Sequence, residues 1–168
     1  MQINNKLGGI SYKLYIDNNI KSKKLMIVGV DHSHIQNERT GIAMVATIND
    51  TFSDFYNKKE IIKENNQKQY CYCIGSFLKE AFSVYLKQNK EMPKGIIIYR
   101  QGVSLQQKEF LKSEILHIDL ICKSKNILYY YILVNKKENF KFYEINNKEY
   151  SNPESGLLIL DGITNRFF

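Results

Sequence analysis

The sequence is short of the features that would place it outside an ordinary folded domain. No stretch approaches the roughly 20 continuous apolar residues that a membrane span requires, and the start, MQINNKLGG, lacks the apolar core of a signal peptide. The expected location is therefore intracellular, cytoplasmic or nuclear. The cysteines number three, Cys71, Cys73 and Cys122, with no CxxC pair and no second Cys/His cluster. An odd set at that spacing argues against a disulfide framework and against a structural zinc site, so they read as reduced packing thiols. There is no internal repeat, no heptad run and no polybasic block.

What is present is a chain of 168 residues, 43% hydrophobic, the size of one domain with a real core. Its 24 Lys and Arg against 17 Asp and Glu leave a formal charge of +7. That balance favours an anionic partner, nucleic acid or a membrane surface, while the spread of lysines is equally that of a solvated basic surface.

Short apolar runs set the expected elements. LMIVGV, residues 25–30, is closed by Asp31 and reads as a strand buried on both faces of a parallel or mixed sheet, with Asp31 at its carboxyl end. IAMVATI, residues 42–48, reads as a second strand, with a hairpin beyond it into a third near Phe55 and Tyr56. Residues 71–88 carry Ile74, Phe77, Leu78, Ala81, Phe82 and Tyr85 at three- and four-residue spacings, which predicts an amphipathic helix. After Pro93, GIIIY at 95–99 predicts a buried strand, and Ser104 with Gln107 forms a capping box for a helix running to about Cys122. LYYYILV, residues 128–134, predicts a central strand, and 157–160 a last one. Strands first, then alternating helices and strands, predict an α/β fold in which a mixed sheet is flanked by helices. Periodicity alone admits several such folds.

Five segments narrow the choice. QINNKLGG, LMIVGVDHSH, IIIYRQGVSLQQ, YYYILVNKKENFKFY and NPESGLLILDGIT occur in the order and spacing of PIWI domains, and together they span nearly the whole chain. The sequence therefore resembles the PIWI domain of the Argonaute and Piwi family. The resemblance implies a ribonuclease H-like sheet, C-terminally incomplete, with residues 1–20 leading from a MID domain into a core at 25–168. It also implies binding of a small-RNA guide and a complementary RNA in a gene-silencing pathway.

Active members of that family cut the target with two divalent ions held by an Asp, a Glu, a second Asp and a final His or Asp. Such ions need anionic oxygen ligands to sit roughly 3.5–4 Å apart. The first Asp matches Asp31, which as a strand-end residue reads equally as a cap for the following turn. The Glu, which the family takes from a loop or helix start, matches Glu60, with Asp54 and Glu64 as neighbouring acids. The second Asp is Gln101 here. An amide oxygen brings no charge, so Mg²⁺ is expected to bind poorly, and the fourth ligand falls beyond Phe168.

For nucleic acid, the resemblance implies Lys6 as a contact to the guide's 5′ phosphate, Arg100 and Gln107 around the altered Gln101, and Lys136, Lys137 and Lys141 on a basic turn. Each lysine reads equally as a solvated surface charge. His34 matches a family histidine, whereas His32 and His117 gain no role. The resulting expectation is guided nucleic-acid binding without cleavage. Two alternatives stay open: a Mg²⁺-dependent endonuclease, and a fragment acting through protein partners that supply the MID, PAZ or C-terminal PIWI parts.

Overall fold

Aliphatic and β-branched residues pack well on a pleated surface, and the run from Leu25 opens the longest strand of the fold. The computed structural model describes residues 9, 15–35, 39–63, 67–101, 108–134, 143–146, 149–153 and 155. The chain divides into two units, Met1–Lys136 and Lys137–Phe168.

In the first unit a single helical turn, α1 (Asn18–Lys21), is capped by Asp17, whose carboxylate accepts from the Asn19 N–H at 2.7 Å. Then come β1 (Leu25–Ile35), β2 (Arg39–Thr47), β3 (Phe55–Lys63), α2 (Gln67–Asn89), β4 (Gly95–Gln101), α3 (Lys108–Ser124) and β5 (Leu128–Val134). They form one mixed sheet in the order β3-β2-β1-β4-β5. The β1–β2 and β2–β3 pairs are antiparallel hairpin neighbours, while β1–β4 and β4–β5 are parallel. Parallel neighbours need a crossover, and α2 and α3 supply it. Lys90, at φ 63°, ends α2, and Asn126, at φ 53°, follows α3 with the Ile127 N–H returned to the Cys122 carbonyl at 3.0 Å. Both are left-handed terminations that satisfy the last carbonyls of a helix.

The core lies between the helices and one face of the sheet. Met26, Val28 and Val30 of β1, Ile42, Met44 and Ala46 of β2, and Ile96 and Ile98 of β4 pack with Ile74, Phe77, Leu78, Ala81 and Phe82 of α2 and Ile118, Ile121 and Cys122 of α3. Each fully buried large side chain contributes about 1.5–3 kcal/mol. The two helices approach closely at Gly75, where a Cβ would stand 2.3 Å from His117 Nε2. Among the described residues no helix is long and apolar enough to cross a membrane.

Several expectations are corrected. Asp31 does not close β1: the strand's parallel pairing with β4 ends at Val30, but its antiparallel pairing with β2 continues to Ile35 opposite Arg39. Nor is β1 buried on both faces. Met26, Val28 and Val30 are covered, while Gly29 and Asp31 face outward. Among the described residues β5 is an edge strand and not a central one. α2 begins at Gln67, ahead of its apolar stripe. The capping box at 104–107 and the strand expected at 157–160 lie outside the described residues.

The second unit contains a two-stranded antiparallel ribbon, β6 (Glu144–Asn146) and β7 (Glu149–Ser151). The rings of Tyr143 and Tyr150 meet edge to face across it, 6.2 Å between centroids.

Candidate nucleic-acid interface and the strand ends of β1 and β4

Side chains alternate along a strand, so neighbouring residues at the ends of β1 and β4 serve opposite faces. Asp31 and Gln101 lie on the face that carries no helix among the described residues. His32 and Arg100 lie on the helix side.

On the outer face, the Asp31 carboxylate can only accept, so the adjoining Gln101 amide presents its nitrogen. Gln101 Nε2 then donates to both carboxylate oxygens, 3.0 Å to Oδ2. The Asp31 Oδ1 also accepts from the His32 backbone N–H at 2.8 Å.

On the inner face Arg100 is 1% exposed and Glu114, from α3, is 0% exposed. Arg100 Nε stands 3.4 Å from Glu114 Oε2, and the Tyr131 hydroxyl donates to Glu114 Oε1 at 2.7 Å. Arg100 Nη1 lies 3.0 Å from His32 Nδ1 and donates to the Gln101 carbonyl at 3.1 Å. Arginine has donors only, so His32 accepts through Nδ1 and carries its proton on Nε2. The guanidinium also lies over the Tyr70 ring, 5.4 Å from its centroid, and the His32 and Tyr70 rings meet edge to face. Burial lifts the Glu114 carboxyl above its usual range against the opposing pull of Arg100 and the Tyr131 hydroxyl. The Tyr131 and Tyr70 hydroxyls are also raised, by burial first and by the Glu114 charge second.

The structure brings together only part of the expected set. Glu60 is not at a loop or helix start. It stands in mid β3 opposite Ile42, whose buried side chain marks the helix side of the sheet. Two inter-strand spacings, about 10 Å, separate β3 from β1, and Glu60 faces away from Asp31. Its neighbour is Cys73 on α2, whose thiol is pushed up to about 11 by burial and by hydrogen bonding to Glu60. Asp54 accepts from Gln88 at 3.0 Å. Arg100, expected at nucleic acid, is turned inward and engaged by Glu114. Lys6, Glu64, Gln107, Lys136, Lys137 and Lys141 lie outside the described residues.

The resemblance implies Mg²⁺ beside Asp31, and the donor set can be tested against it. Mg²⁺ demands near-octahedral oxygen ligands. Here Asp31 has an amide donor where a second carboxylate would stand, Glu60 is on the other face, and no group of three His, Cys, Asp or Glu among the described residues is arranged to hold a metal. These residues do not fit a paired-ion site.

Sequence reasoning missed Glu114, Tyr131, Tyr70 and His32 as the partners of Arg100. One signal for Glu114 was present. It occupies the same helical stripe as Ile118, Ile121 and Cys122, and an acid within an apolar stripe must find a buried partner.

Exposed basic residues also share the outer face. Arg39 and Lys63 are directly opposite each other on β2 and β3, and Lys59 lies four residues along from Lys63. Like charges placed opposite each other disfavour pairing of the strands unless an anion lies between them. By contrast, Lys58, on the helix side, is paired with Glu80 at 2.9 Å.

A family model described as the Piwi domain matches residues 1–167. Among similar proteins, Protein argonaute-3 of Drosophila melanogaster is 29% identical over 167 residues, covering 98% of this chain and 18% of its own length. Piwi-like protein Ago3 of Bombyx mori is 30% identical, covering 99% of this chain and 18% of its own length. The chain thus spans less than a fifth of each. Among solved structures, Kluyveromyces polysporus Argonaute with a guide RNA aligns with a TM-score of 0.66 at 18% identity, over 90% of this chain and 20% of that one. Marinitoga piezophila Argonaute, in complex with a 5′ OH guide RNA and target DNA, aligns at 0.59 and 24% identity, over 83% of this chain and 21% of that one. The mixed sheet is the ribonuclease H-like sheet of Argonaute PIWI lobes.

Proposed function

The chain belongs to the Piwi domain family, and from that premise we propose that it takes part in small-RNA-guided binding of a complementary nucleic acid without cutting it. The observation that carries this reading is the family match across residues 1–167, supported by structural likeness to Argonautes solved with guide RNA and with target DNA. The basic balance of +7 suits a phosphate backbone, whose neutralisation releases counterions. Absence of cleavage is the reading that Gln101 supports: a paired-ion site needs anionic oxygen ligands, and among the described residues Asp31 has an amide beside it in place of a second carboxylate.

Within this reading Lys6, Lys136 and Lys137 contact phosphates, and Arg39, Lys59 and Lys63 add charge on the outer face. Arg100 works from inside: it holds the carbonyl of Gln101 and so positions the end of β4. Asp31 is the remnant of a cleavage site, and Glu60, on the opposite face of the sheet, has no part in it.

Binding to 5′-phosphorylated single-stranded RNA across a salt series, with dephosphorylated RNA and matched DNA as controls, tests the proposal. Phosphate-sensitive binding that outlasts the controls as salt rises is the expected result. Equal, salt-labile binding of all three would reduce the surface to a non-specific polycation.

A second reading is favoured by one observation, the apolar outer face of the sheet. Leu128, Tyr130, Ile132 and Val134 of β5 and Tyr99 of β4 are exposed there. A contiguous apolar patch of this kind marks a protein contact, so a polypeptide partner that covers it is the runner-up to nucleic acid as the ligand of this unit.

A further inference from the structure

A glutamine in place of a carboxylate is ordinarily a loss: one charge fewer for a cation. The geometry here goes further. A carboxylate offers about four lone-pair directions, and three N–H contacts reach those of Asp31. The His32 backbone N–H reaches Oδ1 at 2.8 Å, and Gln101 Nε2 reaches both oxygens. Gln101 is half-buried, and its backbone carbonyl accepts from Arg100 Nη1 at 3.1 Å. Arg100 is in turn fixed by Glu114, and Glu114 by Tyr131. The backbone that bears Gln101 is therefore fixed by a chain of interactions that runs into the core, and the side-chain amide projecting from it bonds to Asp31.

We infer that Gln101 is an occupant: its amide group fills the place beside Asp31 that a divalent cation would take, and so closes the site. A cation would have to displace a charge-assisted hydrogen bond, the strong kind, before reaching the carboxylate. The inference uses the family reading only to say where a cation would sit. It makes no use of RNA binding.

Lost charge and a filled place predict different behaviour for Gln101→Ala. That substitution adds no ligand. If charge were all that mattered, Q101A would bind a cation as poorly as the unmodified chain. If the amide fills the place, removing it frees the Asp31 oxygens and binding improves, by on the order of tenfold or more given the strength of a hydrogen bond to a charged group.

The experiment is a Mn²⁺ titration of the purified chain followed by electron paramagnetic resonance, without RNA, for the unmodified protein, Q101A, Q101D, D31A and D31A/Q101A. Circular dichroism verifies folding. The expected order of Mn²⁺ affinity is Q101D, then Q101A, then the unmodified chain, with D31A/Q101A returning to the level of the unmodified chain. Binding by Q101A no tighter than by the unmodified chain overturns the inference, as does a gain in Q101A that survives D31A. A second measurement needs no variant: nuclear magnetic resonance of the Gln101 side-chain amide in the unmodified protein. Exchange with solvent slowed relative to free glutamine supports the occupant, and exchange as fast as free glutamine overturns it. Because RNA is absent, failure here leaves the nucleic-acid reading standing, and failure of RNA binding leaves this one standing.

Discussion

The two faces of the five-stranded sheet are made from the same strands and do opposite work. On the helix side, Met26, Val28, Val30, Ile96 and Ile98 are sealed by α2 and α3, and the charges buried there among the described residues, Arg100 and Glu114, are paired with each other. On the outer side, Leu128 is 76% and Tyr130 70% exposed, and Asp31 and Gln101 bond to each other within reach of solvent. One residue of displacement along a strand carries a side chain from one regime to the other. Arg100 and Gln101 are adjacent in sequence, yet one belongs to the energetics of folding and the other to the candidate site.

Breaking the inner face at its charges has the largest effect expected. Glu114→Ala leaves Arg100 buried without its counter-charge and lowers stability by about 3–5 kcal/mol, measured by urea denaturation. The paired change R100M/E114L removes both charges and restores most of that loss, which separates the cost of an orphaned charge from the worth of the pair.

An apolar break on the same face ranks next. Ile98→Ala removes a fully buried side chain between β1 and the helices and costs about 2–5 kcal/mol in the same assay. A loss under about 1 kcal/mol would contradict the packing described.

Alkaline pH probes the same face without mutation. Burial pushes the Cys73 and Cys122 thiols from an ordinary 9.0 up to about 11. The folded state therefore keeps protons that the unfolded chain has lost. That contribution is fully present below pH 9 and is lost as pH rises from 9 through 11, with Tyr70 and Tyr131, also raised, extending the loss upward. Thermal midpoints measured from pH 8 to 11 should fall; a flat profile would mean that the thiols are not buried as described.

The outer face sharpens the comparison by its indifference. Tyr130→Ser changes stability by no more than about 0.5 kcal/mol, although Tyr130 adjoins Tyr131, whose hydroxyl holds Glu114. A cost near that of Ile98→Ala would show that something covers this face in solution.

The elements were legible where one residue pattern decides one structure. LYYYILV is β5 to the residue, 128–134, and the apolar spacing of residues 74–85 lies wholly inside α2. The family was legible from five segments in register. Burial was read less well, for a physical reason. A continuous apolar run reads as a strand covered on both sides, and β1, β4 and β5 carry such runs while only one side is covered among the described residues. The nearness of Asp31 to Gln101 was legible, because two short apolar runs with a helix between them pair in parallel and bring their ends together. Glu60 was misplaced because an acid in a strand and an acid at a helix start look alike when the strand, NKKEII, is mostly polar. Glu114 was overlooked because its meaning depends on Arg100, fourteen residues away in sequence and adjacent only once α3 folds back over β4.

The order β3-β2-β1-β4-β5 gives the sheet, among the described residues, two unlike margins. β3 ends the sheet in a polar strand that carries Lys59 and Lys63 exposed on one face, and such charges discourage a foreign strand from adding there. β5 ends it in seven residues without a charge or a proline, rich in tyrosine and β-branched side chains, which is the composition that stacks into cross-β assemblies. Among the described residues, then, the β5 margin is the one whose composition suits the addition of a further strand, and the β3 margin the one guarded against it.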